Sequence, residues 1–351
     1  MLKITGLGVA YPPDLVPVEG LDKTALDKVL AINRSLGIKM RSMVVPWDSP
    51  FLNQPTAPSI KAICDLFLDK GLKLAISAAR AAIAEAGIPT DEITHVVAST
   101  CTNSSNPGYD LLLAQELGLR HTVEKVLLHG VGCTGGLAGL RLADNLCHTA
   151  AWRGRPTHVL VVAAEFASSF TRNELECVDR DQDVRVGLAI PGTDKILTFN
   201  PGPQGWQEII SPQLPILTAS DIPVLYEYLL SSLPASTLSV LPTSPSDYDW
   251  PIHTGGSAFL KSTIKGMGIE REHLQASWEV YEHHGNTSSS SVFCVLDMSR
   301  RIQEREWVVS LGFGPGLVGE AVLLRRIQRP SASGEMTVTV CLPKLSSKFE
   351  G

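Results

Sequence analysis

Apolar residues recur along the chain at two spacings, and their alternation sketches an α/β protein. Residues 1–10 (MLKITGLGVA) alternate like a strand. Residues 21–36 set Leu21, Leu26, Val29 and Leu30 on one helical face, and Gly37 stops them. Four prolines mark residues 46–58 as a surface loop. Residues 71–86 form an alanine-rich helix closed by Gly87 and Pro89. Strands at 95–100 and 123–128 flank a helix at 107–117. The stretch 134–152 is almost wholly apolar or small, which predicts a helix buried on most of its surface, and a strand at 157–164 follows it.

The second half repeats the rhythm. A helix over 222–233 leads through a Pro/Ser-rich loop (234–251) to a short run ending at His253 and the small-residue segment GGSAFLKS. A second buried helix spans 286–302, strands follow at 307–313 and 319–326, and a hinge at 331–335 opens a weakly tied tail. Strands alternating with helices indicate an α/β layered fold. The two small-residue helices stand in matching settings, so the halves read as a diverged duplication. The comparison exposes a shortfall. The strand at 307–313 is followed at once by a partner, whereas the strand at 157–164 runs into a polar stretch and then a Pro/Gly-rich region at 190–215.

Composition narrows the function. The chain has 351 residues, 44% hydrophobic and 19% charged, which excludes a disordered chain and implies about two domains. A net charge of −6 argues against nucleic acid or an anionic membrane as partner. Seven scattered cysteines with no C-x-x-C pair make neither a disulfide framework nor a zinc ribbon, and suit a reducing, cytoplasmic setting. No apolar run approaches the ~20 residues of a membrane span. The start lacks a secretion-signal layout, and the end shows no anchor.

Three residues carry candidate chemistry. Cys133, in HGVGCTGGLAGL, falls between a strand end and a helix start, where a helix N-terminus stabilises a thiolate and glycines admit a substrate; the alternative is a buried structural cysteine. His253, in DWPIHTGGSAFL, ends a short strand and suits proton transfer, or else packing. Asn286, in HHGNTSSSSVF, serves as an N-cap or as an oxyanion donor. The glycine-rich loop in GFGPGLVGEAVLL is a hairpin turn or a backbone wall against a ligand.

These motifs, in this order, resemble the type III polyketide synthases, the chalcone-synthase-like branch of the thiolase-fold condensing enzymes; TCTNSSNPGYDLLLAQELGLR (100–120) fits as well. The likeness runs from about residue 1 to 326. It implies a thiolase-like fold of two pseudo-symmetric α/β halves in five layers (αβαβα), divided as 1–189, 190–330 and a tail at 331–351. It implies Cys133 as the nucleophile holding the acyl chain as a thioester, with His253 keeping it a thiolate, and with His253 and Asn286 binding the thioester carbonyl and driving decarboxylation of malonyl-CoA. Cys101, Ser288, Gly312, Phe313 and Gly314 would line or wall the cavity, and Lys28 with Arg34 would meet CoA phosphates. An acyl-CoA and malonyl-CoA would be substrates, with no metal or redox cofactor, in a homodimer. Asn106 stands where plant members place a methionine that enters the neighbour's cavity.

The chain also departs from the pattern. After Ala189 about 40 residues of the family are absent, room for two strands and their connections, so the first half is short by two strands. The absent segment would carry one aromatic gate of the cavity, and the other gate falls near Ile216, which is not aromatic. The leading expectation is therefore an iterative condensing enzyme making a pyrone or resorcinol-type product. The alternatives are an impaired thiolase-fold protein from a truncated or mis-spliced gene, and an enzyme making a single condensation.

Overall fold

A computed structural model of the chain describes residues 3–17, 36–46, 48–54, 56–170, 196–202, 205–211, 213–327 and 335–338. In chain order these carry β1 (Asp14–Pro17), β2 (Met40–Met43), α1 (Ile60–Leu66), α2 (Leu72–Ala86), β3 (His95–Ser99), α3 (Tyr109–Glu116), β4 (Glu124–Leu128), α4 (Gly135–Trp152) and β5 (Val159–Ala163). A hairpin of β6 (Leu197–Gly202) and β7 (Gly205–Ile210) follows, then α5 (Leu214–Ser231), α6 (Ala235–Leu238), β8 (Tyr248–Asp249), α7 (Ser257–Met267), α8 (Gln275–His284) and α9 (Ser291–Ile302). β9 (Trp307–Gly314), β10 (Val318–Ile327) and β11 (Glu335–Val338) complete the order.

Two sheets enclose a helical middle layer. The first is parallel in the order β4-β3-β5, with Val97 between Val126 and Val161. The second runs β11-β10-β9-β8, with β8 parallel to β9 and the rest antiparallel. α4 and α9 lie between the sheets, and glycine lets them approach. A Cβ at Gly136 would meet Ser289 O at 2.4 Å and Val292 Cγ1 at 2.5 Å, and one at Gly139 would meet Val161 Cγ1 at 2.8 Å. The alternation of β9 shows its two-sided burial. Val309, Leu311 and Phe313 join an outer core with Ile222 and Leu229 of α5 and Leu260 of α7. Val308 faces inward with Leu137 of α4 and Leu296 of α9. On the other side, Ala75 and Ala79 of α2 and Leu113 of α3 cover the first sheet through Val96 and Ala98.

The buried helix expected at 134–152 is α4, and the C-cap expected at Gly87 is met with φ +64°. Among the described residues 3–10 the expected strand is not formed, and only Ile4 makes an isolated bridge. Gly6 and Gly8 press against α2, where a Cβ would lie 2.0 Å from Ala82 O and 2.1 Å from Ala78 O. The Leu7 backbone is taken by side chains: its N–H donates to Glu85 (3.0 Å) and its carbonyl accepts from Arg300 (3.0 Å). The tail expected to be loose instead contributes β11, paired antiparallel with β10. Among the described residues the first sheet has three strands, and β6 and β7 pair with each other rather than with β5. The helix expected at 21–36, Lys28 and Arg34 included, falls outside the described residues save Leu36.

Candidate active site

Cys133 sits in a single 3₁₀ turn, Gly132–Thr134, that leads straight into α4. Two glycines at positive φ, Gly130 (+79°) and Gly132 (+51°), bend the chain from β4 into that turn. The turn is clamped on both sides. A Cβ at Gly132 would lie 2.5 Å from Pro315 Cδ, one at Gly135 would lie 1.9 Å from Ser99 Oγ, and one at Gly314 would lie 2.8 Å from Val131 O. The glycine-rich loop after β9 is thus a wall pressed on the Cys133 turn. The half-buried thiol stands before an 18-residue helix, whose dipole favours a thiolate.

Ser288 ties the candidates together. It holds φ +52°, a conformation unusual outside glycine. Its hydroxyl donates to Cys133 Sγ (3.7 Å) and lies 3.5 Å from Cys101 Sγ. Its N–H donates to Asn286 Oδ1 (2.8 Å), which fixes the amide so that Nδ2 is left to donate elsewhere. Its carbonyl accepts from Ser291 Oγ (2.8 Å), and Ser291 Oγ makes a short hydrogen bond with His253 Nδ1. Because the Ser291 hydroxyl proton goes to Ser288 O, Ser291 accepts from His253. The imidazole proton therefore lies on Nδ1, and Nε2 carries the free lone pair.

His253 is 3% exposed and does not line the cavity beside Cys133. Burial away from water pushes its pKa down to about 4, so the neutral form dominates. Its place depends on two glycines. A Cβ at Gly312 would lie 2.9 Å from His253 Cβ, and one at Gly255 would lie 3.1 Å from Nε2.

A cavity of about 990 Å³ carries Cys133, Cys101, Asn286, Ser288 and Pro315 in its wall. Beside Cys101 lies Glu165, a buried carboxyl that sequence reasoning missed. It accepts from the Cys101 N–H (3.0 Å), Ser289 Oγ (2.5 Å) and Thr100 Oγ1 (3.3 Å). Desolvation raises its pKa. Burial, helped by the Glu165 charge, raises the Cys101 thiol well above its ordinary range, so Cys101 stays protonated. The signal for Glu165 was present: one acid ends the apolar run VLVVAAEF.

Other positions divide. Phe313 is 7% exposed and packs edge-on against Phe259 (5.9 Å), in the core rather than the cavity. Ile216, expected near a gate, stands on the first turns of α5 at 72% exposure and outside the cavity wall. α5 turns it to solvent, and the aromatic residue of this region that does line the cavity is Phe199 of β6. His284 lines it too, stacked on Tyr11 (3.6 Å between centroids) and bonded through Nδ1 to Ser42 Oγ (2.7 Å). Among the described residues no group of three or more His, Cys, Asp or Glu side chains could hold a metal ion, and no helix is long and apolar enough to cross a membrane.

The chain matches the family of chalcone and stilbene synthases, the N-terminal domain over residues 27–195 and the C-terminal domain over 189–328. It is 32% identical to the type III polyketide synthase pspB of Penicillium soppii, over 93% of this chain and 96% of that protein. It is 33% identical to the acylalkylpyrone synthase csyB of Aspergillus oryzae, over 86% of each. Among solved structures it resembles a fungal type III polyketide synthase, ORAS, with a TM-score of 0.83 and 36% identity over 96% of this chain and 99% of that one.

Proposed function

The chain belongs to the chalcone and stilbene synthases, the type III polyketide synthases, and from that membership we propose how its own residues carry the reaction. An acyl-CoA loads Cys133, malonyl-CoA extends the chain in repeated condensations, and the product cyclises to a pyrone or resorcinol-type polyketide. The observation that carries this reading is the knot at Ser288, which touches Cys133, fixes Asn286 and reaches His253 through Ser291.

The tautomer divides the work. Nε2 of His253 takes the Cys133 proton, and the thiolate attacks the thioester carbonyl of the starter. The carbon–sulfur bond to CoA breaks, and the leaving CoA sulfur takes the proton from Nε2. Malonyl-CoA then loses CO₂, and the electron pair of the broken carbon–carbon bond becomes an enolate. Its oxygen takes a hydrogen bond from Asn286 Nδ2, the amide hydrogen left free when Oδ1 accepts from Ser288. The enolate carbon attacks the Cys133 thioester, Cys133 leaves as thiolate, and the longer chain returns from CoA to Cys133 for the next round. The imidazolium formed when Nε2 takes the Cys133 proton is disfavoured by burial, so His253 gives that proton up to the leaving CoA sulfur and is neutral when the enolate forms.

The same reading takes the protein as a homodimer. β4 is an outer strand of the first sheet, and its Val126 is 39% exposed. Pairing of two such edges about a two-fold axis removes both from solvent.

One observation favours a second reading, an impaired thiolase-fold protein: among the described residues nothing pairs with the outer edge of β5. Incubation with an acyl-CoA and labelled malonyl-CoA separates the readings by product mass. Several acetate units support the iterative enzyme, one unit supports a single condensation, and no product from folded protein supports impairment.

A further inference from the structure

The condensation gives no task to Cys101 or to the Glu165 carboxyl beside it, yet both gather on Cys133. Ser288 Oγ stands 3.5 Å from Cys101 Sγ and 3.7 Å from Cys133 Sγ, so one oxygen atom bridges the two sulfurs. The chain path explains the approach. β3 and β4 are parallel neighbours with Ser99 opposite Leu128, and Cys101 and Cys133 lie on the segments that leave their C-terminal ends. Neighbouring strands run about 4.8 Å apart. That spacing falls in the range of about 4.4–6.8 Å between the Cα atoms of residues joined by a disulfide.

The two thiols are prepared for different parts. Cys133 precedes α4, whose N-terminal dipole favours the thiolate, the form that attacks a peroxide. Cys101 is held as the thiol. Its S–H donates to Glu165 Oε2 (3.4 Å), and its N–H donates to the same carboxyl. The hydroxyls of Ser289 (2.5 Å) and Thr100 (3.3 Å) pin that carboxyl in place, so a base faces the Cys101 sulfur. A reactive thiolate beside a second thiol that can give up its proton is the pairing that carries a sulfenic acid on to a disulfide. Both cysteines are half-buried and line the same cavity, so a small peroxide that enters it meets both.

Resting on the thiolate that the function above gives Cys133, we propose that Cys133 and Cys101 form a reversible disulfide driven by a hydroperoxide. The Cys133 thiolate attacks one peroxide oxygen, the oxygen–oxygen bond breaks, and hydroxide leaves as the sulfur is oxidised to a sulfenic acid. Ser288 turns its hydroxyl aside. The Cys101 sulfur then attacks the Cys133 sulfur while its proton passes to Glu165. The sulfur–oxygen bond breaks, and the departing hydroxide takes that proton and leaves as water. The two thiols together lose two electrons, and one peroxide is reduced. The disulfide halts acyl loading, and it keeps Cys133 from the sulfinic acid, which thiols do not reverse. A dithiol reductant restores both cysteines.

The test treats the full chain with one equivalent of hydrogen peroxide, caps remaining thiols with N-ethylmaleimide and reads the peptides by mass. The expected product is a linked pair of peptides holding Cys101 and Cys133, lighter by two hydrogens than the reduced pair. Loading Cys133 with an acyl group beforehand is expected to prevent the link. Acyl loading is then measured before peroxide, after it and after dithiothreitol, each protein against its own untreated rate. The unaltered chain is expected to lose loading and regain it. Cys101→Ser is expected to regain about tenfold less, with Cys133 found two oxygens heavier as the sulfinic acid. Sulfinic acid at Cys133 of the unaltered chain after one equivalent, a link from Cys133 to a different cysteine, or equal recovery in Cys101→Ser overturns the disulfide and leaves the function standing. An untreated chain that forms the link but accepts no acyl group overturns the function and leaves the disulfide.

Discussion

Ser288 gives its hydroxyl to the sulfur of Cys133 across 3.7 Å while its backbone is held at φ +52°. The strained conformation turns hydroxyl, N–H and carbonyl toward three different members of the site, which a residue at ordinary φ would not do. Ser288→Gly relieves the backbone and removes the hydroxymethyl group, and with it the hydroxyl. The expected outcome is an unchanged or higher Tm with loading of Cys133 slowed about tenfold, the equivalent of one hydrogen bond of about 1.4 kcal/mol. Loading at the original rate contradicts the role given to this hydroxyl.

His253 links stability to pH. Its folded pKa of about 4 lies below the ordinary histidine value, so the unfolded chain binds the extra proton between about pH 6.5 and 4. The stability from keeping the ring neutral is complete above about pH 6.5 and is lost as pH falls toward 4. The loss is of order 3 kcal/mol. His284, also pushed down to about 4 by burial, adds in the same direction and less, because it is only partly buried. Urea melts across this range should show a steeper acid loss for the unaltered protein than for His253→Gln. Equal slopes contradict the buried neutral imidazole.

Gly312 makes room for His253. A Cβ there would stand 2.9 Å from His253 Cβ, well inside the carbon–carbon contact distance of about 3.5–4.0 Å. Gly312→Ala should displace the imidazole by part of an ångström and lower the condensation rate about 10–100-fold. Full activity in this variant would show that the ring position is not critical.

The setting of Cys133 was legible because its signals are local: glycines at 130, 132, 135 and 136, a strand before and a buried helix after. His253 and Asn286 were legible through motif likeness, since each alone has an ordinary structural explanation. The polar network was not legible, because it joins residues far apart in sequence. Glu165 meets Ser289 across 124 positions, and nothing in SSSS says which hydroxyl turns inward. The opening segment has the alternation of a strand, but its backbone partners are Glu85 and Arg300 side chains that no local pattern encodes. Ile216 was placed by motif alignment across a gap, and the helical phase of α5 turned it outward.

The edge of β4 makes its own prediction. Val126→Lys puts a charge in the middle of the proposed two-fold strand pairing, where two copies of it would face each other. Sedimentation should shift the protein from dimer to monomer. A dimer that withstands the substitution places the interface elsewhere.

The central claim is that Cys133 is a working nucleophile in this scaffold. Intact-protein mass spectrometry after brief incubation with a long-chain acyl-CoA tests it, with Cys133→Ala alongside. The account predicts a mass gain of one acyl group in the unaltered chain and none in the variant. A folded, unaltered chain that gains no mass, or a gain that persists in Cys133→Ala, would contradict it.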